Sequence, residues 1–225
     1  VCSLLLNEGL PDIPAGYMAK AAAIVREAGG VFIADEVQAG FCRSGRWWGY
    51  EVSDFVPDIV TMGKPMGSGL PFAGVVARPE LVDAFRTNTG YFNTFASSPL
   101  QAAVGMAVLD VIEDEDLRSN VNDVGAYIRA GLGDMQPEYE SMGDVRGHGL
   151  AVVVDWVTDR ESREPDRKGV VAVVNRLKEK GFLMGNAGSL GNVLKMRPPL
   201  IFSRDNADAF LAAFRETMQE FYGNA

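Results

Sequence analysis

The chain has 225 residues, 47% of them hydrophobic and 23% charged, enough apolar material for one large domain or two small ones. Its net charge is −9 and no basic cluster stands out, which argues against nucleic acid and against an anionic membrane surface as partners. No apolar run reaches transmembrane length, and Cys2 and Cys42, lacking metal-type spacing, read as thiols of a reducing, cytoplasmic compartment.

Residues 1–6 are apolar and are expected as a buried strand. With no basic leader and no initiator Met, this strand reads as one entered from upstream, so an N-terminal part is expected to be missing. Residues 7–15 form a loop, broken by Pro11 and Pro14. A helix over 16–28 carries Met18, Ala21, Ala22 and Val25 on one face and stops at Gly29-Gly30. The run 31–34 is a buried parallel strand that delivers Asp35 and Glu36 at its carboxyl edge. After an aromatic loop (41–50), a second strand at 58–62 delivers Gly63-Lys64, and a third lies at 72–77. Helices are expected from 79, over 98–113 and over 116–135. The acidic stretch 113–117 marks the expected boundary, giving domains 1–115 and 116–225. The second domain reads as a smaller α+β unit. It has strands at 149–156, 182–184 and 193–196, helices at 169–180 and 205–222, and a polar loop at 158–168. Phe210, Phe214, Met218 and Phe221 share one side of the last helix.

Asp35 and Lys64 are the residues that suggest chemistry. Ligands of open α/β sheets sit beyond the carboxyl ends of the strands, and two such ends here deliver opposite charges. That pair suits pyridoxal 5'-phosphate (PLP). A lysine amine condenses with the cofactor's aldehyde, and a carboxylate keeps its ring nitrogen protonated.

The segment Ile33-Ala34-Asp35-Glu36-Val37-Gln38-Ala39-Gly40-Phe41, followed by Arg43-Ser44-Gly45, resembles the DEVQ-x-GF-x-R-x-G motif of class III (omega-type) aminotransferases. Asp58 to Lys64 is similar to their segment ending in the cofactor-holding lysine. The stretch from Lys64 to Pro71 resembles alanine–glyoxylate-type and phospho-lyase-type members. The resemblance implies PLP fold type I: an aspartate-aminotransferase-like α/β domain with a mostly parallel sheet between helices, plus the smaller C-terminal domain. It implies a homodimer that moves an amino group from an amino donor to a keto acid or aldehyde. By the same likeness Lys64 and Asp35 are the catalytic pair, and Lys64 also moves the substrate proton. Val37 packs on the pyridine ring, and Gln38 bonds near its phenolic oxygen. Thr94 reaches the phosphate of the partner subunit's cofactor, and Arg197 holds a substrate carboxylate. Where the family often has Gly-Gly-Asn-Pro, this chain has Ala96-Ser97-Ser98-Pro99. The family's chains are also much longer at the N-terminus. Two other readings stay open: a PLP phospho-lyase acting on an amino-alcohol phosphate, and a catalytically silent fragment or dimerisation partner.

Blander roles compete at several positions. Glu36 reads as a buried acid paired with an arginine such as Arg43. Trp47, Trp48 and Tyr50 read as packing or dimer contact, and His148 as a turn residue. Gly63, Gly67 and Gly69 suit turns, and the run Glu113 to Asp116 a solvated boundary.

Overall fold

Two sheets organise the chain in the computed structural model, which describes residues 1–96 and 98–223. They belong to separate units. The first comprises Val1–Leu4, Ile13–Cys42 and Arg46–Leu117; the second comprises Leu5–Asp12, Arg43–Gly45 and Arg118–Ala225. The sequence carries no sign that Leu5–Asp12 and Arg43–Gly45 group with the C-terminal part.

In the first unit, helix α1 (Tyr17–Glu27) turns Met18 and Ala22 inward onto Phe32. Its chain reverses at Gly29, whose φ of 80° is open to glycine at little cost. Strands β1 (Ile33–Asp35) and β2 (Ile59–Met62) are parallel, with Asp35 opposite Thr61, and β3 (Gly74–Ala77) runs antiparallel to β2. The strand expected over 1–6 reduces to one parallel bridge: Cys2 N–H donates to the Ile33 carbonyl and Asp35 N–H to the Cys2 carbonyl. Leu4 spends its apolar character on burial instead of pairing. Helices α2 (Pro79–Asn88) and α3 (Pro99–Asp114) follow, the latter started by a reciprocal cap between Ser98 and Gln101. Asp58, just before β2, is buried. It accepts from Phe32 N–H at 2.8 Å and lies 3.1 Å from Arg26 and 3.3 Å from Arg78. Burial pushes its carboxyl up, but these donors and positive charges outweigh that and hold it below the ordinary range.

Most of α4 (Leu117–Met135) belongs to the second unit, which is built on a four-stranded antiparallel sheet. Strands β4 (Met142–His148) and β5 (Ala151–Trp156) form a hairpin. Helix α5 (Arg167–Glu179) comes next, then β6 (Gly185–Ala187), β7 (Val193–Met196) and α6 (Arg204–Tyr222); the sheet order is β4-β5-β7-β6. Val152, Val154 and Trp156 of β5 pack with Leu132 of α4, Leu177 of α5 and Phe214 of α6 in one core. Strand β4 goes unannounced by the sequence because only one of its ends is strongly apolar. The strand expected at 182–184 lies at 185–187. Phe182 closes the end of α5 by donating to the Leu177 carbonyl and stacks edge-on against Phe210. Phe221 is 48% exposed, against expectation, and Tyr222 takes its place inward by accepting a bond from Trp156 Nε1. Among the described residues, no helix is long and apolar enough to cross a membrane.

Candidate active site

Parallel pairing puts the carboxyl ends of β1 and β2 side by side, about 4.8 Å apart. Asp35 ends β1, and Glu36 N–H continues the ladder to the Thr61 carbonyl at 2.9 Å. One Asp35 carboxylate oxygen accepts Val37 N–H at 3.0 Å, which orients the acid in a tight local turn. On the neighbouring strand, Gly63 is fully extended and Lys64 adopts φ 37°. A side chain pays in strain for that left-handed conformation, and strain of this kind gathers where a residue's position matters more than its comfort. Lys64 is exposed, while Asp35, Val37 and Gln38 are half-buried. A Cβ placed on Gly63 would sit 3.8 Å from both Val37 methyls, so the valine lies against the backbone that carries Lys64. The first unit therefore brings Asp35, Val37 and Lys64 to one sheet edge.

Glu36 braces this edge, though not through Arg43. It is 1% exposed, and its two oxygens accept Gly49 N–H at 2.7 Å and Tyr50 N–H at 2.9 Å. Burial pushes its carboxyl up, with those two donors opposing. Arg43 instead donates to the Leu150 and Pro198 carbonyls within the second unit. The aromatic loop folds onto its own glycines: Trp48 covers Gly40 and meets Phe41 edge-on at 5.3 Å.

Thr94 sits on an exposed turn, next to an Asn93 side chain that caps Phe95 N–H. No hydrogen bond among the described residues joins it to Asp35 or Lys64, and its neighbour Ser97 lies outside the described residues. Arg197 belongs to the second unit, directly after β7, where it is exposed beside Lys195. His148 ends β4 opposite Ala151 instead of forming a free turn; burial, then the charge of Arg129, pushes its imidazole down. Sequence reasoning missed Lys195. Lys195 lies within β7, two residues before Arg197, which follows the strand's end.

Comparison with known proteins adds a second line of observation. A family model described as aminotransferase class-III matches residues 7–218. The chain is 42% identical, over 94% of its length, to alanine–glyoxylate aminotransferase 2 homolog 2, mitochondrial, of Arabidopsis thaliana, and covers 44% of that protein. It is 42% identical to ethanolamine-phosphate phospho-lyase homolog 1 of Caenorhabditis elegans, over 86% of this chain and 42% of that one. Among solved structures, a phospholyase from Arthrobacter in complex with phosphoethanolamine superposes with a TM-score of 0.93. It is 41% identical, over 97% of this chain and 52% of that one. A Bacillus anthracis aminotransferase gives a TM-score of 0.91 at 30% identity, over 98% and 52%. The chain thus spans about half the length of the relatives it matches.

Proposed function

The chain belongs to the class-III aminotransferases, a PLP-dependent family of fold type I, and from that premise we propose that it is the catalytic half of a transaminase acting on an amino donor and a keto acid or aldehyde. One observation carries the reading: Asp35 ends β1, Lys64 follows the end of the parallel β2 by two residues, and Val37 lies against the Gly63 backbone that leads to it. An acid, an amine and an apolar side chain along one edge are the donor set that PLP needs.

When bound, the cofactor would supply an acceptor for the substrate's nitrogen and a sink for electrons from its α-carbon. The chain's own residues do the rest. The Lys64 amine holds the cofactor between turnovers, then carries a proton between the substrate's α-carbon and the C4' carbon as general base and acid. The Asp35 carboxylate, fixed by Val37 N–H, keeps the ring nitrogen protonated. Val37 would pack against the ring, and Gln38 would hydrogen-bond near its phenolic oxygen. Thr94 serves the phosphate of the partner subunit's cofactor, which makes the working form a homodimer. Arg197 takes the substrate carboxylate through its planar fork.

The test is spectroscopic. The purified chain incubated with PLP is expected to develop a protein-bound absorption band in the near-ultraviolet or visible, and Lys64→Ala to remove it. A band that survives in the variant sinks the lysine assignment, and no band in the wild type favours the silent-fragment reading. Transfer from alanine to glyoxylate is then assayed beside phosphate release from ethanolamine phosphate, since relatives named for both reactions support a phospho-lyase as the second reading. Cell fractionation decides between the cytoplasm, which we favour, and the organelle in the Arabidopsis relative's name.

A further inference from the structure

Burial alternates along the end of β1: Ala34 and Glu36 are buried, while Asp35 and Val37 are half-buried. Glu36 is fixed by its backbone and by its side chain. Its N–H donates to the Thr61 carbonyl at 2.9 Å, and its carbonyl accepts Gly40 N–H at 3.0 Å. Its carboxyl takes Gly49 N–H on one oxygen and Tyr50 N–H on the other, both at the start of the short 3-10 helix Gly49–Ser53. The fit there is close. A Cβ at Gly49 would come 2.6 Å from the Ala39 Cβ and 3.2 Å from Glu36 Oε2. Residue 36 is thus a fixed post between Asp35 and Val37, and Val37 N–H is the donor that orients the Asp35 carboxylate.

An acid is an unfavourable group to bury at this point. Burial pushes Glu36 up, and the neighbouring charges of Asp35 and Glu51 push the same way against the two amides. A glutamine of the same shape avoids those penalties, but it offers one acceptor oxygen to two N–H groups and sets its own NH2 against the second. What the acid adds is the grip on both amides, and what that grip holds still is the backbone from Asp35 to Val37. A shift of about 0.5 Å at a binding group is enough to spoil a charge-assisted hydrogen bond. We propose that Glu36 is a positioning residue, whose carboxyl anchors the strand end so that Asp35 meets the cofactor's ring nitrogen. The inference rests on the reading of Asp35 as the partner of that nitrogen, and Glu36 acts only through it.

Equilibrium binding separates positioning from mere support of the fold, without turnover. Asp35 acts on the ring nitrogen alone. Its effect is therefore read as the affinity of the whole chain for PLP relative to the carbocyclic analogue in which C–H replaces that nitrogen. The wild type is expected to prefer PLP by at least about tenfold, and Asp35→Asn to abolish the preference. Glu36→Gln is expected to cut the preference to about threefold or less while leaving affinity for the analogue within about twofold. Gly49→Ala, which displaces the two amides from the other side, is expected to do the same. A Glu36→Gln chain, folded by circular dichroism, that keeps the wild-type preference overturns the proposal. So does one that loses affinity for both ligands equally, since that is the mark of a structural role. Should Glu36→Gln fail to fold, Gly49→Ala decides by the same two criteria. A wild type without the preference removes the reading of Asp35 and the inference with it. A preference that Asp35→Asn abolishes and Glu36→Gln leaves intact removes the inference alone.

Discussion

Two buried carboxyls of the first unit respond to pH in opposite directions, and each can be read by one substitution. Asp58 is held below its ordinary value by Phe32 N–H, Arg26 and Arg78, against burial. A depressed folded pKa adds stability above the unfolded value, near 3.9, and that contribution fades as pH falls through the folded value. Asp58→Asn is therefore expected to lower stability by about 1–3 kcal/mol at pH 7, screened by the half-exposed arginines, and by progressively less below about pH 4. Urea midpoints across that range check it; a penalty independent of pH refutes it. Glu36 is the reverse case, raised by burial. Its contribution is complete below about pH 4.3 and is lost as pH rises through the folded value. Glu36→Gln places an NH2 against Gly49 or Tyr50 N–H and costs about 1–3 kcal/mol at low pH. The gap to wild type is expected to narrow as pH rises above about 4.3, because only the wild type loses stability there. A constant gap would leave Glu36 without its raised pKa.

Helix α4 separates intrinsic propensity from packing. Gly125 and Gly133 both sit inside it, where alanine is ordinarily better by about 1 kcal/mol. A Cβ at Gly133 meets nothing within 4 Å, whereas one at Gly125 would come 2.1 Å from the Gly149 carbonyl oxygen. Gly133→Ala is thus expected to stabilise by about 0.5–1 kcal/mol, and Gly125→Ala to destabilise by about 1–3 kcal/mol, because backbone cannot yield as a side chain tip can. Thermal midpoints that rise for both would show the contact to be slack. Elements such as α4 and α6 are legible in the sequence because long apolar periodicities and the Ser203 cap mark them. The carboxyl edges bearing Asp35 and Lys64 are legible for a related reason: a short apolar run followed by charge has few other readings. What stays hidden depends on distant partners. β4 is a strand because β5 lies beside it, and Glu36 is satisfied by amides thirteen and fourteen residues on. Lys195 is nearly buried on the outer face of its strand, where its Nζ meets Asn7 from the other end of the chain.

Apolar burial is unequal between the two units, and this sets how the molecule should unfold. The second unit closes one core over β5, β7, α4, α5 and α6, with Trp156, Leu132, Leu177 and Phe214 fully buried. In the first, α2 buries no residue and α3 only Ile112, while Val75, Val76, Phe92 and Phe95 stay largely exposed. Full burial of such a side chain is worth about 1.5–3 kcal/mol, so a handful left in water is comparable to the whole stability of a small domain. The first unit is therefore expected to open at lower denaturant, in a separate step. Hydrogen exchange at α2 and α3 should be fast from the outset, while β5 and α6 stay protected until the second step. A homodimer that covers the exposed surface would raise the first step with protein concentration and leave the second unmoved. Unfolding in a single step at every concentration, with even protection across both sheets, would show that the first unit draws its stability from a source other than its own apolar burial.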